Sequence, residues 1–125
     1  MELLSAFPDI EDFGLRLLEP VGPTALATPE VIRPPLVVIR RTGGSDDMIT
    51  DIPRIQVDCY GANRRQAADM AEQCRQLVLA SPATGFDHVS IDQSWTESAP
   101  TYLPYGDPAS QRYVATYRLA LRRTR

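Results

Sequence analysis

The chain has 125 residues, 43% of them hydrophobic and 23% charged, which excludes a wholly disordered polymer and suffices for a single domain, residues 1–125, with its own core. No apolar run approaches the roughly 18 residues that span a bilayer, so no membrane partner is expected. The 13 basic residues against 16 acidic ones, net −3, argue against a phosphate backbone as the main partner.

The opening Met1-Glu2-Leu3-Leu4 has no basic segment and no long apolar run, which predicts no secretory leader. The first element in chain order is a short amphipathic helix over Asp9–Glu19, with Ile10, Phe13 and Leu17 at helical spacing. Asp9, Glu11 and Asp12 fall in its first turn, where the helix dipole favours negative charge. Pro20 stops it. Val21–Pro35 is too rich in proline for a long helix or a central strand. It reads as an irregular connection with room for an extended piece at Thr24–Thr28.

Leu36–Arg41 is strongly β-prone and apolar on both faces at its start, as in a central strand. Thr42–Asp51 then reads as a loop of about ten residues, broken by Gly43-Gly44. It carries Asp46, Asp47 and Asp51 and no base. Ile52–Tyr60 is the second strand, with Ile55, Val57 and Cys59 on one face. The two strands are expected to form a long-looped hairpin.

Asn63 and Gln66 then make a capping box at the head of the main helix, which runs to about Ala80 and ends at Ser81-Pro82. Its apolar stripe is Ala67, Met70, Ala71, Cys74, Leu77 and Val78. Residues His88–Glu97 alternate as a strand, Val89, Ile91 and Trp95 sharing one face. Ala99–Ser110 holds three prolines and a glycine and reads as a turn-rich excursion. The last strand, Arg112–Arg122, points Tyr113, Ala115, Tyr117, Leu119 and Leu121 inward. The fold class is therefore α+β: an antiparallel sheet of about four strands with two helices packed on one face. Val57 and Cys59 are expected to face Ala71 and Cys74, with Leu119 nearby.

No catalytic signature emerges. His88, the lone histidine, reads as a solvated strand residue. Gly43-Gly44 lacks the Lys-Ser/Thr of a phosphate loop and the third glycine of a dinucleotide fingerprint. Asp46 and Asp47 lack the spaced oxygen ligands of a calcium loop. Cys59 and Cys74 match no zinc or redox spacing and read as small buried hydrophobes. No metal, no cofactor and no enzymatic activity are expected. All 13 basic residues are arginine, which fits codon bias and also fits a residue suited to bidentate pairing at interfaces.

Several segments, taken in order, carry a resemblance. They are Phe7-Pro8-Asp9-Ile10-Glu11, then Pro35-Leu-Val-Val-Ile-Arg-Arg-Thr-Gly-Gly44, then Asp51-Ile-Pro-Arg-Ile-Gln-Val-Asp-Cys-Tyr-Gly61. Gln66-Ala-Ala-Asp-Met-Ala71 follows, and Arg112-Tyr-Val-Ala-Thr-Tyr-Arg-Leu-Ala-Leu-Arg122 closes the series. The set resembles the tail terminator, or tail completion, proteins of long-tailed bacteriophages of the siphophage type. The resemblance implies a virion protein at the neck, assembled in the host cytoplasm. It implies a homohexameric ring that caps the tail tube, ends its polymerisation and joins the tail to the head–tail connector protein. DNA would pass through the lumen without sequence-specific binding. The alternatives are another phage neck or head-completion protein, or a small ligand-binding α+β domain. The family transfers no site residues by motif. The candidates for an assembly interface or lumen come from the patterns above: Arg40, Arg41, Asp46, Asp47 and Asp51 around the acidic loop, and Tyr102 and Tyr105 in the excursion.

Overall fold

A computed structural model describes residues 5–123. The reading of Met1–Leu4 lies outside the described residues. The fold is α+β, with a five-stranded mixed sheet and two helices. Helix α1 spans Ile10–Leu17 and helix α2 spans Arg64–Thr84. The strands are β1 (Thr24–Ala25), β2 (Leu36–Asp46), β3 (Thr50–Gly61), β4 (Ile91–Tyr102) and β5 (Gln111–Arg122). Their spatial order is β1-β2-β3-β5-β4.

Four of these strands form the expected antiparallel set, and the fifth corrects the count. Thr24 and Ala25 lie parallel to Val37 and Val38, so the Pro-rich connection adds a two-residue strand to the sheet edge. Strand β5 inserts between β3 and β4, while α2 spans the gap from the end of β3 to the start of β4. One face of the sheet carries Val37, Ile39, Ile55, Val57, Cys59, Ala115, Tyr117, Leu119 and Leu121, and all of these join a single cluster with side chains from both helices. Gly14 lets α1 approach closely: a Cβ there would lie 3.2 Å from the Ile39 side chain. The Cys59 and Cys74 thiols touch at 3.7 Å within this cluster, free and fully buried. That contact, together with burial, pushes the Cys59 thiol well above its ordinary value and keeps it unreactive.

Both helix starts follow from their capping residues. The Asp9 carboxylate accepts from the amides of Glu11 and Asp12 at 3.0 and 3.2 Å. Asn63 accepts from the Gln66 amide at 2.8 Å, and Gln66 reaches back to the Ala62 amide at 2.6 Å. The far end of α2 corrects the expected stop at Ser81-Pro82. Pro82 cannot donate to the carbonyl of Val78, four residues back. The Ser81 hydroxyl takes that carbonyl instead, at 2.6 Å, and the helix continues to Thr84. Gly85, in the left-handed region at φ 57°, closes it.

The strands differ from expectation in four further places. The expected loop Thr42–Asp51 is mostly strand: β2 runs to Asp46 and β3 starts at Thr50, leaving a three-residue turn. Gly43-Gly44 is not a loop breaker: both glycines pair, with Arg54 and Pro53, and the bulge falls just before them at Thr42, where the register shifts between Arg41 and Gly43. The expected strand His88–Glu97 begins only at Ile91, because Asp87 and His88 sit at φ 58° and 57° in a 3₁₀ turn. His88 is thus an exposed turn residue. The same strand extends to Tyr102, through the start of the expected excursion Ala99–Ser110. An edge strand has a free side on which Pro100 needs no donor. A bulge between Ile91 and Gln93 also reverses the alternation: Ile91 pairs with Leu121 on the helix face, whereas Trp95 pairs with Arg118 on the opposite face.

One buried polar atom makes a testable point. The Tyr117 hydroxyl finds no hydrogen-bond partner among the described residues, and burial pushes its phenol well up. Tyr117→Phe removes an unsatisfied group without changing the packing shape. It is expected to raise stability by about 1 kcal/mol, read as a higher melting temperature.

Candidate assembly surface

Of the seven residues singled out in the sequence, five mark the two ends of the sheet, and Arg40 and Arg41 lie midway along β2. Arg40, Arg41, Asp46, Asp47 and Asp51 belong to the β2–β3 hairpin. Tyr102 and Tyr105 lie at the other end, where β4 stops and β5 begins.

At the hairpin end, charge and turn geometry are built together. Arg41 grips Asp51 with two parallel bonds, at 2.8 and 2.9 Å. Asp51 is only 3% exposed. The structure therefore corrects two expectations: the acids here are not without a base, and Asp51 is an internal anchor rather than a contact residue. Asp46 accepts from the Met48 amide at 2.9 Å. Asp47 accepts from the amides of Thr50 and Ile49 at 2.6 and 3.0 Å. These bonds hold Met48 in the left-handed region at φ 73°. They leave Met48 and Ile49 67% and 74% exposed at the tip. From the C-terminal side Arg123 donates to the Met48 carbonyl at 2.7 Å. Arg40 is exposed on the face away from the helices, opposite Gln56.

Those amides also hold the Asp47 carboxyl below its ordinary value of 3.8, the Thr50 bond contributing most. A depressed folded value stabilises the turn above the unfolded value, and the effect is lost as pH falls through the folded one. The Ile49 and Thr50 amides are therefore expected to keep their proton NMR shifts from neutral pH down to the ordinary carboxylate range. They should move only below it, and in Asp47→Ala they should lie at the displaced position throughout.

The Arg41–Asp51 pair carries a second expectation. Arg41→Ala leaves a buried carboxylate without its cation and is expected to cost about 2–3 kcal/mol in denaturant unfolding, less than for a fully buried pair because Arg41 is partly exposed. Replacing both residues by leucine should cost less than the single change.

At the opposite end, arginines sit on tyrosines. The Arg64 guanidinium lies 4.2 Å from the Tyr102 ring centre and donates to the Tyr113 hydroxyl at 3.4 Å. The Arg112 guanidinium lies 5.1 Å from the Tyr105 ring centre and donates to the carbonyls of Leu103 and Pro104. Tyr102 packs edge-on against Tyr113, and Tyr105 against Tyr60. The two candidate tyrosines are thus not one stacking pair, since each pins a different arginine. Arg64, Arg65 and Arg112 hold no carboxylate in an ion pair among the described residues. Sequence reading passed over Arg64 and Arg65, though two arginines directly after an N-cap, where the helix dipole disfavours cations, are a legible signal. It also passed over Met48-Ile49, an apolar pair set among acids.

Between the two ends, the face away from the helices carries a network that the sequence did not reveal. Glu97 on β4 takes Arg54 on β3 at 2.5 Å and Arg118 on β5 at 3.3 Å. A cleft of about 530 Å³ lies between α1 and the 3₁₀ turn, lined by Asp12, Arg16, Asp87, His88 and Arg122. Its arginines are already engaged: Arg16 with Asp12 and Asp87, and Arg122 with Asp92. Among the described residues no group of three or more His, Cys, Asp and Glu side chains is placed to hold a metal ion, and no helix is long and apolar enough to cross a membrane. No protein-family model matches the chain, and no curated protein matches it.

Proposed function

We propose that this chain is a structural virion protein without catalytic activity. It caps the tail tube of a long-tailed bacteriophage as a ring, ends tube growth and joins the tail to the head–tail connector. DNA would pass through the ring without sequence-specific contacts. The observation that carries this reading is the ordered series of segments from Phe7 to Arg122 that resembles tail terminator proteins. Two features support a role in contacts between proteins. The hairpin tip presents Met48 and Ile49 to solvent on a turn held by two aspartates. The far end presents arginines that lack acidic partners among the described residues.

The test is a phage genome lacking this reading frame. Its lysates are expected to contain heads separated from tails, with tubes of uncontrolled length in electron micrographs. Supplying the chain in trans should restore uniform tails and place a ring of it at the head-proximal end. Normal tails in its absence would remove the reading.

A further inference from the structure

The two ends of the sheet are complementary to each other, and one chain cannot bring its own ends together. Strand β3 alone separates them by about 36 Å at ~3.3 Å per residue. The hairpin end offers Asp46 and Asp47 flanking the exposed Met48 and Ile49. The opposite end offers Arg64 on the Tyr102 ring, exposed Arg65 next to it at the start of α2, and Arg112 on the Tyr105 ring and the Leu103 carbonyl, with Leu103 and Tyr105 themselves partly exposed. Asp46 and Asp47 beside apolar side chains therefore stand at the tip of one end, where Arg41 is taken by Asp51 and Arg123 reaches the Met48 and Ser5 carbonyls, and base beside apolar stands at the other. Asp107, the acid of the excursion, accepts from the Ala109 amide at 2.9 Å and forms no ion pair with these arginines among the described residues.

The sheet edges are poor alternatives for association. The β4 edge is interrupted by register shifts and carries Pro100. The free half of β2 carries the bulge at Thr42, and Glu11 occupies its Arg41 amide at 3.0 Å. We infer that the acidic, apolar hairpin tip of one copy docks on the arginine–tyrosine end of a second copy of this chain. Each copy keeps one end free for the next, so the contact is head-to-tail and generates a closed ring when the rotation closes. The inference names the subunit contact of the ring proposed above and rests on that reading.

Reciprocal charge exchange tests it by sedimentation velocity on the purified chain. Arg64→Glu with Arg65→Glu places acids where a helix start favours them, so this variant keeps its fold. Asp46→Arg with Ile49→Arg reverses the tip; it gives up the Asp46 bond to the Met48 amide and keeps the two Asp47 bonds. The wild-type chain is expected to form rings at low salt that dissociate as salt is raised. Each double variant alone should associate at least ~10-fold more weakly, and an equal mixture of the two should recover assembly, since each supplies the end the other lacks. Circular dichroism of each variant confirms that weak association is not unfolding. A wild-type chain that stays monomeric at low salt, or rings indifferent to both exchanges, would overturn the docking. Rings lost in the variants but absent from virions would uphold the docking and remove the tail-cap reading instead.

Discussion

Replacing Leu119 with aspartate is expected to unfold the chain. Leu119 is 0% exposed and lies on the helix face of β5, between Tyr117 and Leu121 in the common cluster. A carboxylate there would lose its water and find no cation in a cluster made of hydrophobic side chains. The cost is on the order of 4–5 kcal/mol, a large share of the 5–15 kcal/mol by which such domains are stable. A fall of more than ~15 °C in melting temperature is the expected reading. Thr116→Asp, three residues earlier on the opposite face, should change stability by less than ~1 kcal/mol. Equal effects of the two changes would show that the strand does not present these faces.

Gly44→Ala is expected to break the hairpin. Gly44 has φ 116°, a conformation that side-chain-bearing residues rarely adopt. A Cβ there would lie 2.2 Å from the Ile52 carbonyl oxygen and 2.7 Å from the Pro53 Cα, both backbone atoms that cannot swing away. Strain and overlap together are expected to cost about 3 kcal/mol. The damage should be local: fast hydrogen exchange across residues 42–52, loss of the Arg41–Asp51 bond, and loss of head-to-tail assembly. Gly43→Ala makes the useful comparison. A Cβ there meets nothing within 4 Å, so only the backbone penalty at φ 131° applies and the effect should be smaller.

The contrast between these two glycines also shows where sequence reading reaches its limit. Local chemistry by itself determined the start of α2, because Asn63 bonds to the amide three residues on; it left the start of α1 open between Ser5 and Asp9, and the structure settles it with Asp9 as the cap. It determined the inward faces of β3 and β5, because strict alternation leaves one way to bury Ile55, Val57, Tyr117 and Leu119. It also determined that both cysteines are interior. Where an element's fate depended on a distant partner, only the tertiary structure decided it. Gly43-Gly44 carries the signature of a loop, yet pairing with Arg54 and Pro53 extends the strand through it, past a bulge at Thr42. Pro82 signals a helix end, yet the Ser81 hydroxyl takes over the freed carbonyl and α2 continues. Trp95 alternates with Ile91 in sequence, yet one bulge turns it to the other face.

The candidate surface divides in the same way. Asp46 and Asp47 were legible as acids of a turn, and Tyr102 and Tyr105 as interface candidates of a proline-rich segment. Asp51 was not legible as buried, because its partner Arg41 lies ten residues back and reaches it only when β2 and β3 pair. Nor could sequence bring Arg64, from the start of α2, together with Arg112, from β5: β5 enters the sheet beside β3, whose end leads into α2, and that placement sets the two arginines at one end. Bonds across a few residues are fixed by chain geometry, whereas charges on separate strands become neighbours only through the order and register of the whole sheet.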